Sequence, residues 1–257
     1  MAQRDYMRSP AVARREAAVI DRGLQSYMSK VYALMTGAML LTGLVAYVVG
    51  MDFRAVVNGT ETTLFPPDVI VAMFSSPIRW VIMFAPLIFV FAFSAMINRM
   101  SGSTAQMVFW LFGAVMGLSI AWIFAVFTGM SIAQAFFATA AGFGALSLWG
   151  YTTKKDLSGW GSFLIMGVFG LIVASLLNIF FFESTALQWA VSAIGVLLFA
   201  GLTAYDTQSI KNEYLAMRAA PGGEAWLERG AVMGALRLYL DFLNMFMFLL
   251  QFMGNRE

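Results

Sequence analysis

Long apolar runs, each close to the length that crosses a bilayer, alternate along this chain with short polar connections. A span needs roughly 20 mainly apolar residues. By that measure the pattern predicts spans at about 31–50, 78–98, 106–128, 131–152, 160–182, 186–206 and 230–253. The third and fourth are separated by little more than Thr128-Gly129-Met130-Ser131, a tight turn. The stretch 51–77 carries Asn58-Gly59, Pro66-Pro67 and Asp68, turn signals that make it a loop with room for one short element. Seven spans is the preferred count. Six with a partly inserted last segment is the alternative, because Arg237 and Asp241 interrupt the seventh run.

Composition agrees with lipid as the solvent. Apolar residues make up 60% of the chain and charged residues 12%, against about 25% charged in a soluble domain. The expected fold class is therefore all-α, a polytopic membrane protein. Residues 1–29 form a polar, basic N-terminal tail, 30–254 the transmembrane domain and 255–257 a short C-terminal tail. The first apolar run begins only near Val31, too late for a cleaved signal peptide, so it should remain as a helix. With the N-terminus inside, the inner segments carry Arg4, Arg8, Arg14, Arg15, Arg22, Lys30, Arg99, Lys154, Lys155, Lys211, Arg218 and Arg229, and the outer ones only Arg54, Arg79 and Arg256. That is the positive-inside pattern, and it places the N-terminus in the cytoplasm.

The absence of histidine and cysteine removes several chemistries at once: Cys/His zinc sites, His-ligated haem, Ser-His and Cys-His nucleophile pairs, and histidine proton relays. Nothing in the chain points to nucleic acid or to a bound cofactor. Small residues suit close helix packing. Gly113 and Gly117 form a GxxxG, read as ordinary packing within one chain, and Gly142, Gly144, Gly167 and Gly170 are placed on neighbouring spans.

Of the 14 acids, Asp206 and Asp241 are the two that fall in or at the edge of an apolar run, with Glu183 at an outer helix end. An ionised Asp at a helix centre costs roughly 2.5–3.5 kcal/mol on insertion scales, so such a residue is kept for a function or neutralised by a partner. Arg237, one helical turn before Asp241, is one partner it could take. Spacing suggests another. The midpoint of 206 and 241 falls at 223–224, beside the turn signal Pro221-Gly222-Gly223, so an antiparallel hairpin places both acids at a similar depth. Two facing carboxylates in low dielectric would share a proton. Protonated, the pair bridges two helices; deprotonated, it repels and a pore could open. The same pair would attract calcium, but two carboxylates supply at most four of the six to eight oxygens that ion takes, which fits a weak contact on a pathway. Asn178, Gln188, Asn244 and Gln251 are further polar groups at membrane depth. Arg99, at the inner end of the second span, either snorkels to the interface or reaches Asp206.

At these residues the chain resembles the Bax inhibitor-1 family of membrane proteins. The matching stretches are Thr153-Lys154-Lys155-Asp156-Leu157-Ser158, Leu202 to Lys211 around Tyr205-Asp206, and Ala235 to Phe246 around Tyr239-Leu240-Asp241. The resemblance implies seven helices with the last enclosed by the other six, which would keep Asp241 away from lipid. It also implies that Asp206 and Asp241 form a hydrogen-bonded pH sensor gating a calcium leak, with calcium as transported ion, and that Arg99 partners Asp206. Arg237 departs from some bacterial relatives and is placed to perturb the pair. The basic C-terminal tail of eukaryotic members is missing, which favours a bacterial inner membrane. The alternative function is a regulatory partner of a membrane-bound AAA protease, in which the N-terminal tail would carry the activity. An enzyme is not expected. Tyr205-Asp206 with Asp241 echoes the presenilin-type aspartyl proteases, but the glycines of their second motif and the Pro-Ala-Leu element are missing. A retinal protein is excluded because the seventh span has no lysine.

Overall fold

The computed structural model describes residues 10–221 and 223–255, with side chains from Asp21 onward and those of Glu224 and Ala225 left out. The first nine residues of the N-terminal tail, Gly222 of the turn, and Arg256 and Glu257 lie outside the described residues.

Among the described residues the chain runs α1 (Pro10–Val57), α2 (Pro67–Ser75), α3 (Ile78–Met96), α4 (Gly102–Ile120), α5 (Ile123–Val126), α6 (Gly129–Thr152), α7 (Trp160–Leu177), α8 (Thr185–Ala219) and α9 (Glu224–Met253). A 3₁₀ turn, Ile97–Arg99, follows α3, and a π turn, Asn178–Phe182, extends α7. Seven of these helical stretches are long and apolar enough to cross a membrane, the expected number. The short element in the 51–77 loop is α2, which starts on Pro67. Hydroxyl caps set several starts. Ser101, Thr128 and Ser184 accept the backbone N–H groups of Thr104, Ser131 and Leu187 at the heads of α4, α6 and α8.

Two helices are longer than their apolar runs. At about 1.5 Å per residue, the 48 residues of α1 reach about 72 Å and the 35 of α8 about 52 Å, against a hydrocarbon core of about 30 Å. From Pro10 the N-terminal segment is thus helix continuous with the first span, and α8 runs 13 residues past Asp206. Polar residues at these ends stop the hydropathy signal without stopping the helix.

The last helix is the interior one. Within its apolar window 61% of α9 is buried, whereas no other span exceeds 39% and α7 reaches 11%. Helix α9 packs against α8, α1, α6 and α4, while α3 lies outside on α4 and α7 outside on α8. Exposed Phe163, Met166 and Phe169 on α7 face where lipid would be. Gly117 and Gly113 bring α4 onto α1: a Cβ on Gly117 would sit 2.6 Å from the Thr42 carbonyl oxygen. The GxxxG is therefore an intrachain packing seam. Gly167 likewise meets Leu198, but Gly142, Gly144 and Gly170 have no neighbour within 4 Å of a Cβ and are not packing glycines. Helices α1 and α6 both touch α9 and barely touch each other. Among the described residues Tyr32 Oη bonds across to Ser147 Oγ at 2.6 Å. The slot beside it is lined by Met39, Gly43, Phe136 and, at its floor, Phe242 of α9.

Candidate functional site between the last two helices

The hairpin α8–α9 carries the site. Its turn is tight because a Cβ on Gly223 would fall 1.7 Å from the Met217 carbonyl oxygen, a place open to glycine alone. Folded back about that turn, Asp206 on α8 and Asp241 on α9 come level, with their carboxyls close enough to interact. A hydrogen bond between two carboxyls requires a proton on one of them. Asp241 is buried at 4% exposure, and its Oδ2 has no hydrogen-bond partner among the described residues. The Asp206 side chain is 13% exposed.

The cation at this site is Arg237, and its partners differ from the expected one. Its Nη1 lies 3.9 Å from Asp206 Oδ1, and its Nη2 donates to Glu213 Oε2 at 2.5 Å. Helix α8, continued past Asp206, brings Glu213 two turns further along the same face, and the guanidinium reaches across to both acids of α8 rather than back along its own helix to Asp241. Glu213 is the functional residue that the pattern of apolar runs concealed, because the sixth run stops at Asp206. Arg99 sits exposed in the 3₁₀ turn after α3; Asp206's ion pair is with Arg237 instead. Arg237 is 29% exposed and Glu213 44%, so the cluster grades from a buried acid to a solvent-facing one.

Polar contacts fix α9 against its neighbours. Tyr239 Oη is 2.7 Å from Thr42 Oγ1, which also lies 2.8 Å from the carbonyl oxygens of Ala38 and Gly113, so one hydroxyl cluster joins α9, α1 and α4. The Tyr239 ring meets Phe109 and Phe112 edge-on. Gln208, one turn before Lys211 on α8, accepts the Leu157 N–H and donates to the Lys155 carbonyl, both at 2.8 Å. The Thr153–Ser158 motif is thereby clamped to α8, and Lys211 adds a bond to the Tyr151 carbonyl at 2.9 Å. Within the clamped loop Asp156 accepts the Ser158 N–H, and hydrogen bonding to Ser158 holds its carboxyl below the ordinary value of 3.8. At the other end of the bundle Asp52 is buried and accepts three backbone N–H groups, from Thr63, Leu64 and Phe65. It lies just beyond the first apolar run and was not singled out by its sequence.

Asn244 donates to the Leu240 carbonyl and Asn178 Oδ1 accepts the Ser184 N–H. Among the described residues no group of three or more His, Cys, Asp or Glu is placed to hold a metal ion.

The two acids of the last hairpin and the clamped Thr153–Ser158 loop coincide with the motifs that carried the resemblance. Residues 24–257 match the family described as Inhibitor of apoptosis-promoting Bax1. The chain belongs to the Bax inhibitor-1 family. Among its relatives in that family, an Escherichia coli protein named Inner membrane protein YbhL is 43% identical over 237 residues, 91% of this chain and 94% of the relative. A Rickettsia prowazekii protein is 41% identical over 92% of both chains. One from Caulobacter vibrioides is 40% identical over 99% of this chain and 98% of its own. Bax inhibitor-1 membership and seven spanning helices make the protein a multi-pass membrane protein, in keeping with the inner-membrane name of one relative.

Proposed function

We propose that this protein is a pH-sensitive calcium leak channel of a bacterial inner membrane, with Asp206 and Asp241 as a proton-operated latch. The observation that carries the reading is the approach of two carboxyls, one buried and one 13% exposed, on the two arms of one hairpin. One shared proton bridges α8 to α9. When it leaves, two like charges stand in contact at low dielectric. Arg237 can balance one of them, and it is already shared with Glu213. The repulsion separates the helices, and a cation is drawn to the acids in place of the proton. Two carboxylates hold calcium weakly, as a conducting site requires. With the α8–α9 turn on the cytoplasmic side, as the basic residues predict, Arg237 and Glu213 form the inner mouth.

Calcium flux in proteoliposomes across pH tests this for the wild type, Asp206→Asn and Asp241→Asn. Wild-type flux should rise with pH, and each variant should lose most of that dependence, because an amide bridges a carboxylate without a titrating proton. Equal leak in all three at every pH would refute the latch. A wild type that carries no calcium at any pH would refute the channel.

A further inference from the structure

At the end of the bundle opposite the α8–α9 turn, a cavity of about 650 Å³ opens between α5, the α7–α8 connection and α9. Its polar lining includes Ser175, Asn178, Glu183, Gln188 and Gln251, and Phe248 forms part of its wall. The connection is unusual in backbone. The π turn ends on Glu183, the one described non-glycine residue with positive φ, at 45°. Its N–H donates to the Asn178 carbonyl at 2.7 Å, while Asn178 Oδ1 accepts from Ser184 at 2.9 Å. A bulky side chain in that region is a departure that the surrounding contacts must enforce, and π turns recur at functional sites. Here they hold a carboxylate at the cavity mouth. Gln188 and Gln251 have no side-chain hydrogen bond to another described residue, and both face the cavity.

The cavity is in register with the acid pair. On α8, Gln188, Ser192, Gly195, Phe199, Leu202 and Asp206 follow one another at alternating steps of four and three, one helix face. On α9, Asp241, Asn244, Phe248 and Gln251 do the same at steps of three, four and three. Gln251 is ten residues from Asp241, about 15 Å along the helix. Both stripes are polar at their two ends and interrupted in the middle by aromatic rings. Phe248 stacks on Phe199 with centroids 5.9 Å apart, and it fills the space over Gly195, where a Cβ would be 2.6 Å from its ring.

We infer that this cavity is a cation-collecting vestibule with Glu183 at its mouth, and that Phe248 stacked on Phe199 over Gly195 is the hydrophobic seal between it and the acid pair. This deepens the channel reading and rests on it for the identity of the ion. A dry aromatic constriction gates by excluding water, and a carboxylate at a concave mouth raises the local concentration of cations.

The chain contains no cysteine, so single cysteines report water access without background. In proteoliposomes a membrane-impermeant thiol reagent should label Gln251→Cys. It should not label Leu202→Cys until Phe248→Ala is added. Phe248→Ala should raise calcium flux roughly tenfold or more at a pH where the wild type leaks little, and Phe248→Leu should keep the seal and so separate loss of the plug from misfolding. Glu183→Gln should lower flux several-fold at low calcium and low salt, and the deficit should vanish at high salt. A Gln251→Cys that resists labelling overturns the vestibule, and a Leu202→Cys labelled with Phe248 intact overturns the seal. These labelling results hold whether or not calcium is the ion. If Asp241→Asn abolishes pH dependence while Phe248→Ala leaks like the wild type, the latch stands and the seal falls.

Discussion

The α1–α4 seam gives a sharp test of the packing that supports the site. Gly117→Ala places a Cβ 2.6 Å from the Thr42 carbonyl oxygen and 2.8 Å from Val45 Cβ, where ordinary contact begins at 3.4 Å. The obstacle is backbone, so relief requires α4 to withdraw from α1 by about 0.8 Å. One turn away Gly113 O is 2.8 Å from Thr42 Oγ1; the same withdrawal stretches that contact to about 3.6 Å, beyond a hydrogen bond. Overpacking of this kind costs about 1–3 kcal/mol, which for a chain of this size lowers the melting temperature by roughly 3–10 °C. Gly142→Ala is the control. Nothing lies within 4 Å of its Cβ, and alanine improves a helix interior by up to about 1 kcal/mol, so its melting temperature should hold or rise. Thermal unfolding of purified protein in one detergent compares the three. Gly117→Ala melting with the wild type, or Gly142→Ala falling as far as Gly117→Ala, would show that the seam does not bear on stability as argued.

Tyr239→Phe removes one member of the Thr42 hydroxyl cluster and should cost about 1 kcal/mol, read as a lower melting temperature with the pH profile of the leak intact. Gln208→Ala releases the Leu157 N–H and the Lys155 carbonyl, and hydrogen–deuterium exchange should accelerate across 153–158 with α8 itself unchanged. The same loop has a pH limit. Because the folded state holds the Asp156 carboxyl below 3.8, its contribution is present above the unfolded value and lost as pH falls through the folded one, so loop exchange in the wild type should quicken only below about pH 4. Deleting residues 1–25 should leave the leak unchanged under the channel reading; loss of the leak would move the activity to the N-terminal segment.

Span number and order were legible because hydropathy is a local property: each run announces its own helix. Helix ends were less so, since a helix that leaves the bilayer keeps its backbone bonds while its side chains turn polar, as α1 and α8 do. That blind spot hid Glu213 and with it the geometry of Arg237. A neighbour at i,i+4 is visible in sequence, whereas a partner on a facing helix depends on the register of two helices. That Asp206 and Asp241 come to the same level was foreseeable because a glycine turn fixed the register of this one hairpin. Gly142 and Gly113 look alike in sequence, and only the neighbouring backbone tells a packing glycine from an idle one. Asp52 fell outside attention because its donors come from a loop, where no periodicity marks them.

An interior helix also has to be delivered to its place. Arg237 or Asp241 at the centre of an isolated helix opposes entry into lipid by roughly 2.5–3.5 kcal/mol on insertion scales, and the groups that offset this lie on α8 and on the walls of the bundle. Entry of α9 as the second arm of a hairpin, into a receptacle formed by the six helices before it and open on one side, would offset that cost. The gap between α1 and α6, bridged by the Tyr32–Ser147 hydrogen bond and floored by Phe242, is where such a receptacle would be open. In that order of assembly, the helix that carries Asp241 is the one that closes the bundle.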